Sequence, residues 1–254
     1  FVFDIDGTIC FDRFQIDARI KAILKDAANY GHQISFASAR SYRDCIDVLG
    51  QELSQKTVIG LNGGLAYKAG ELILEKPMNH RAFDLALYYC HRYQLPYFVD
   101  DDFNYAHHLE QFIPFIHSVD PLKLAKEVVV EDLKHPIKMV VFFGNHLDKI
   151  AEVSHHLAKL EQLDITFHDD ESCLYLNPKE VTKSSTIQEL FDHDFVAFGN
   201  DRNDIAMFQV AVYSVQVGDF ADLSPFADTQ VLLRQDYHQA VADKIHETFE
   251  KFRA

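Results

Sequence analysis

The chain is poor in three things that would otherwise direct its reading. No apolar run reaches the roughly 18 residues of a membrane span, and no secretory leader is recognisable, so neither a membrane anchor nor export is expected. Cysteine is scarce: Cys10, Cys45, Cys90 and Cys173 lie far apart with no Cys-x-x-Cys pair. They read as reduced, buried or half-buried thiols of a cytoplasmic protein rather than a disulfide framework. Positive charge is thin as well, with 24 Lys and Arg against 39 Asp and Glu, a net charge of −15 and no basic cluster. That argues against nucleic acid or an anionic membrane as partner. It leaves room for a small anionic substrate, because one local Lys, Arg or metal ion can reverse the field at a single site. The 14 histidines do not change this, since the pairs His107-His108 and His155-His156 are neighbours that cannot share a face of a helix or strand.

What is present is ordinary globular material: 254 residues, 48% hydrophobic and 25% charged, enough for one large domain or two modest ones. The chain opens on a buried-type strand without an initiator Met, so one or more residues are expected to precede it. Its first stretch, Phe1-Val2-Phe3-Asp4-Ile5-Asp6-Gly7-Thr8-Ile9, runs apolar residues into two carboxylates spaced i, i+2. On a strand these two point to one side, and Gly7 ends the run where both can face one ligand. Two close like charges repel, and a divalent cation relieves them. Mg²⁺ takes such oxygens together with phosphate.

Beyond this, strands and helices alternate. Asp17 is placed to cap a helix with Ile20, Ile23, Leu24, Ala27 and Ala28 as its apolar stripe, and Gly31 closes it. A strand follows at 34–37, then a helix capped by Ser41, then a strand at 57–61 ended by Asn62-Gly63-Gly64, and a hairpin around Gly70. Polar residues at successive strand ends are the pattern of a parallel α/β sheet, which binds ligands there. From Pro77 the pattern changes. A helix at 80–93, an aromatic strand at 97–99, a partly helical 122–130, an apolar strand at 137–143, a helix at 147–160 and an antiparallel pair, 165–168 and 173–176, across the acidic turn Asp169-Asp170-Glu171 make an inserted α+β unit at 77–181. Tyr97, Phe98, Phe103 and Tyr105 are read as the core of that unit. The first pattern resumes over 182–254, with a terminal helix at 239–252.

The strand ends of the outer segments deliver Asp4 and Asp6, then Ser38 and Arg40, then Asn62 and Gly63, then Asn200 and Asp204, with Lys183 at a helix start just before the last. Phosphoryl transfer needs such parts: an oxygen nucleophile, a proton donor for the leaving oxygen, and cationic and hydrogen-bonding groups on the equatorial oxygens.

The sequence resembles the haloacid dehalogenase superfamily of Mg²⁺-dependent phosphohydrolases, and within it the Cof-type group with the large inserted cap. Asp4-Ile5-Asp6-Gly7-Thr8, Ala37-Ser38-Ala39-Arg40, Leu61-Asn62-Gly63-Gly64, Pro178 through Lys183, and Gly199-Asn200-Asp201-Arg202-Asn203-Asp204 follow the family's motifs in order. The resemblance implies a three-layer Rossmann-like parallel sheet core at 1–76 and 182–254 and a substrate-selecting α+β cap at 77–181. It implies Asp4 as nucleophile, Asp6 as acid and base, and Lys183 as the phosphate-neutralising cation. Ser38, Arg40, Asn62, Gly63 and Asn203 are then phosphate-side groups, and Asp4, Asp6, Asn200 and Asp204 hold Mg²⁺. Ala39 replaces a common Gly, and Asn200 stands where an Asp normally ligates, which lowers the negative charge of the site. The implied activity is hydrolysis of a small phosphorylated metabolite through an aspartyl-phosphate, by a monomer or weak homodimer. A phosphomutase or phosphotransferase using the same carboxylates, or a non-catalytic binding protein, are the alternatives; Asn200 capping the next helix is the alternative for that residue.

Overall fold

The computed structural model of the protein describes residues 1–109, 119–169 and 171–253. Asp170 of the acidic turn therefore lies outside the described residues. In chain order, β1 (Val2–Phe3) leads to α1 (Ala18–Asp26), β2 (Ser35–Ala37), α2 (Tyr42–Leu53), β3 (Thr57–Gly60), β4 (Leu65–Lys68) and β5 (Glu71–Glu75). Next come α3 (His80–Tyr93), β6 (Tyr97–Asp100), β7 (Tyr105–His108), β8 (Lys138–Phe142), α4 (Ile150–Ala158), β9 (Leu163–His168) and β10 (Cys173–Pro178). The last part holds α5 (Lys183–Leu190), β11 (Val196–Gly199), α6 (Ile205–Val210), β12 (Tyr213–Val217), β13 (Thr229–Val231) and α7 (Tyr237–Lys251). The chain forms two compact units, Phe1–Ile73 with Thr182–Ala254, and Leu74–Val181.

Helix starts follow local chemistry. Asp17 accepts from the Arg19 amide at the head of α1, Ser41 from Asp44 in α2, and Asn79 from Ala82 in α3. Thr182 and Ser185 close a reciprocal capping box at the head of α5. The expected helical character of 122–130 is confined to a short 3-10 turn at Val130–Asp132. The reason is local: the Asp120 carboxylate takes the amides of Leu124 and Ala125 at 2.7 and 2.9 Å, and Lys123 sits at a φ of 55°. Likewise 147–149 is a 3-10 turn, with the α-helix beginning at Ile150.

The first unit is built on an eight-stranded sheet of order β13-β12-β11-β1-β2-β3-β4-β5. β13 to β3 run parallel and β4 runs antiparallel to β3. This is a mixed α/β fold of the Rossmann-like type carrying an inserted cap. The order departs in two directions from β1, toward β2 on one side and β11 on the other, so the crevice at the carboxyl ends of β1 and β11 is the topological switch point. Directly beneath it, Phe3 is in register with Phe36 and Phe198. Their rings meet at 6.4 and 4.8 Å, and Phe249 of α7 closes the stack edge-on to Phe3 at 6.4 Å. All four are fully buried, which anchors the site on a rigid apolar floor.

The second unit has an antiparallel sheet of order β7-β6-β8-β10-β9. Strand alternation sends Val99, Met139, Val141, Leu174 and Leu176 into one core with Ala82, Ala86 and Cys90 of α3 and Val153 and Leu157 of α4. Phe98, Val140, Phe142 and Cys173 cluster on the other face. Of the aromatics expected in this core, Tyr97 and Phe98 are buried, while Phe103 and Tyr105 are half-buried. Among the described residues no helix is long and apolar enough to cross a membrane.

Candidate active site

The site starts where β1 ends. The Asp4 amide still bonds to Phe198 O at 2.9 Å, and then the chain turns sharply, with the amides of Ile9 and Cys10 returning to Ile5 O at 3.0 and 2.9 Å. Gly7 makes this possible at a φ of +80°, and a Cβ there would strike the Asn200 side chain. The turn thus holds Asp4 under the switch point and lets the loop after β11 close against it.

Asp4 is 4% exposed. Its Oδ1 accepts from Lys183 Nζ at 2.5 Å and its Oδ2 from the Thr8 hydroxyl at 3.0 Å. Lys183, the first residue of α5 and 1% exposed, also donates to Asp204 Oδ1 at 2.7 Å. One cation therefore serves two buried carboxylates. Burial pushes the Asp4 carboxyl up, to about 7; Lys183 opposes that and Asp204 adds to it. Burial alone would lower Lys183, but Asp204 and Asp4 outweigh it and hold the ammonium above its ordinary range. Lys183 is therefore held in its charged form, while burial and the neighbouring Asp204 keep Asp4 above the usual carboxylate range.

Asp204 is fully buried and has both oxygens engaged, Oδ1 by Lys183 and Oδ2 by the amides of Asn200 and Asp201 at 2.9 and 3.2 Å. Of the four residues expected at the metal, this one fastens the loop. Asp6 is likewise engaged: Arg40 Nε and Nη2 reach its two carboxylate oxygens at 2.7 and 2.5 Å. Arg40 is itself set by the Ser38 hydroxyl, which accepts its amide at 3.1 Å, and by Arg13 O at 2.8 Å. Arg40 thus meets the acid expected as proton donor.

The remaining expected residues form the far wall. Asn62 sits in the left-handed region, its amide donates to Ser38 O at 2.9 Å, and its side-chain oxygen accepts from Asn203 Nδ2 at 3.2 Å. Gly63, at a φ of +108°, packs so close to the Thr182 backbone that a Cβ would collide, and its carbonyl takes the Thr186 hydroxyl at 2.7 Å. That contact ties the third strand end to the helix bearing Lys183.

Asn200 completes the corner. One polar atom of its amide lies 3.0 Å from Asp4 Oδ2, 2.9 Å from the Asp6 carbonyl and 3.1 Å from Thr8 Oγ. The following 3-10 turn is capped by Asp201, not by Asn200. Among the described residues no three His, Cys, Asp or Glu side chains are arranged to hold a metal. The donors available here are one carboxylate, one backbone carbonyl and one amide oxygen. The 3.0 and 2.9 Å spacings match the edge of an oxygen octahedron with bonds of about 2.1 Å, about 3 Å, so the set fits Mg²⁺.

Sequence reasoning assigned no role to Thr8, which is fully buried and bonds Asp4, or to Asp201 and Thr182, which fix the two loops. Thr8 was within reach, since it stands in the same motif as the carboxylates.

A profile of the haloacid dehalogenase-like hydrolases matches residues 1–245. The chain belongs to this family. No curated protein sequence matches it significantly. Among solved structures, this haloacid dehalogenase-like hydrolase is similar to a haloacid dehalogenase-like hydrolase from Bacteroides thetaiotaomicron, at 20% identity, TM-score 0.81, covering 97% of this chain and 98% of the other. It is similar to TM0651 from Thermotoga maritima at 19% identity, TM-score 0.76 and 96% of both chains. A third is the HAD subclass IIB sugar phosphatase BT4131, at 21% identity, TM-score 0.74 and 98% of both chains. At these identities the likeness is one of fold.

Proposed function

We propose that the protein is a Mg²⁺-dependent phosphomonoesterase acting on a small phosphorylated metabolite, a sugar phosphate or similar, through a phosphoryl group carried on Asp4. The observation that carries this reading is the buried Asp4 carboxylate at the switch point, held by Lys183 and Thr8 with Asp6 two residues on. Asp4 attacks phosphorus and the bond to the ester oxygen breaks; Asp6 gives that oxygen a proton. Asp6 then takes a proton from water, which attacks the same phosphorus and returns Asp4 as a carboxylate. Lys183 neutralises charge on the phosphoryl oxygens, and the amides and hydroxyls of the Ser38 and Asn62-Gly63 loops orient them. When bound, Mg²⁺, held by Asp4, the Asp6 carbonyl and Asn200, supplies further positive charge against the phosphate. Choice among esters is assigned to the inserted unit.

The test is release of inorganic phosphate from a panel of phosphorylated sugars, polyols, nucleotides and pyridoxal phosphate with Mg²⁺, ranked by kcat/KM. Hydrolysis with a preference inside the panel is expected. Transfer to an acceptor without phosphate release would replace hydrolase by mutase, and no turnover on any ester would contradict both.

A further inference from the structure

The Asn200 amide can present either of two atoms to one corner, and the two have opposite needs. With Oδ1 inward, it accepts from Thr8 but faces the Asp4 carboxylate and the Asp6 carbonyl, three oxygens that only a cation reconciles. With Nδ2 inward, the same corner is satisfied by protons. Nδ2 donates to the Asp6 carbonyl at 2.9 Å and to Thr8 Oγ at 3.1 Å, and lies 3.0 Å from Asp4 Oδ2, to which Thr8 passes its own proton at 3.0 Å. The three oxygens that face this corner then each meet a donor.

We propose that Asn200 is a reversible plug of the cation site: its amide nitrogen takes the cation's place when the site is metal-free, and its amide oxygen ligates the cation when one binds. A half-turn of one amide exchanges the two states. An Asp at 200 could not do this, because it brings a second carboxylate against Asp4 and has no proton to offer at neutral pH. The surroundings suit the exchange. The Asp204 carboxylate fastens the loop through the amides of Asn200 and Asp201, independently of where the side chain of Asn200 points. Gly7 leaves its backbone bare where the amide turns. The consequence is a site whose shape persists without metal and whose cation must displace a satisfied hydrogen-bond network, so binding is weakened relative to a carboxylate at that position. The proposal rests on Mg²⁺ being the cofactor, and its test reads metal binding and order without turnover: Mg²⁺ binding with no change at Asn200 overturns the plug and leaves the phosphatase reading standing, whereas no Mg²⁺ binding contradicts both.

The experiment follows the side-chain amide of Asn200 by ¹⁵N–¹H NMR, assigned by its disappearance in Asn200→Asp, with Mg²⁺ binding measured in parallel by calorimetry. In EDTA the amide protons should exchange slowly. Saturating Mg²⁺ should shift the signal and lower its protection by roughly tenfold or more, as for a group moved from a closed network to an open one. Thermal melts give the second reading: Mg²⁺ should raise the midpoint of Asn200→Asp by more than that of the wild type, and in EDTA the variant should melt below the wild type. Unprotected amide protons in EDTA, protection unchanged on saturation, or no binding of Mg²⁺ by the wild type would each overturn the proposal. So would a variant as stable as the wild type without metal.

Discussion

Asp6 is held by Arg40 through both of its carboxylate oxygens, at 2.7 and 2.5 Å. The two residues are 34 positions apart and come from different strand ends. Each oxygen keeps a second lone pair, but the two-point contact fixes the direction in which Asp6 faces, and that direction sets whether it can serve a leaving alcohol. Arg40 therefore governs where Asp6 points, beside the phosphate-side role proposed for it.

Leaving-group dependence separates these roles. Asp6→Asn should slow hydrolysis of an alkyl phosphate much more than that of p-nitrophenyl phosphate, whose phenolate departs with little protonation. Arg40→Ala should show the same imbalance in weaker form, about 10–100-fold on the alkyl ester, as for loss of a supporting contact. Steady-state kcat/KM on both substrates is the measurement. Equal losses on both in Arg40→Ala would assign Arg40 to the phosphate alone, and equal losses in Asp6→Asn would remove its acid role.

Lys183 stands between Asp4 and Asp204, and its removal leaves two buried carboxylates without a cation. Lys183→Met should cost about 3–5 kcal/mol of stability, the usual consequence of leaving a buried charge unpaired. Adding Asp204→Asn should recover part of it, since one carboxylate then suffices without a counter-charge. Urea unfolding of the three proteins checks this; a Lys183→Met protein as stable as the wild type would mean Asp4 and Asp204 do not depend on it.

Much of the fold was legible because its cues are local. Asp17 and Ser41 cap helices from within four residues, and the apolar stripe Val241, Ile245 and Phe249 is buried on α7 as its spacing predicts. The break at 122–130 was not legible, since Leu122-Lys123-Leu124-Ala125-Lys126-Glu127 reads as helical while the Asp120 side chain takes the amides of Leu124 and Ala125. In the site, the residues themselves were marked by their motifs, but their pairing was not. Arg40 meeting Asp6, and Asp204 spending both oxygens on Lys183 and the loop, depend on which strand ends the sheet order brings together. Asp201 rather than Asn200 capping the next turn follows from one residue of register, finer than propensity resolves.

The thiols offer an independent check on burial. All four cysteines are buried, and burial pushes Cys10 up to about 11 and Cys173 to about 12, with Cys45 and Cys90 driven further. A thiolate is the reactive form, so none should react readily with Ellman's reagent at pH 8 in the native protein. All four should react in guanidinium. Fast native labelling of any one would show that its element opens in solution.

Asp4 is the residue proposed to carry the phosphoryl group. Acid quench during steady turnover of a good substrate, followed by mass analysis of the peptide containing residues 1–13, reads this directly. The wild type should show a fraction of that peptide heavier by one phosphoryl group, labile to hydroxylamine, and Asp4→Asn should fold normally, turn over several orders of magnitude more slowly and show none. A phosphorylated peptide elsewhere in the chain, or persisting in Asp4→Asn, would contradict it.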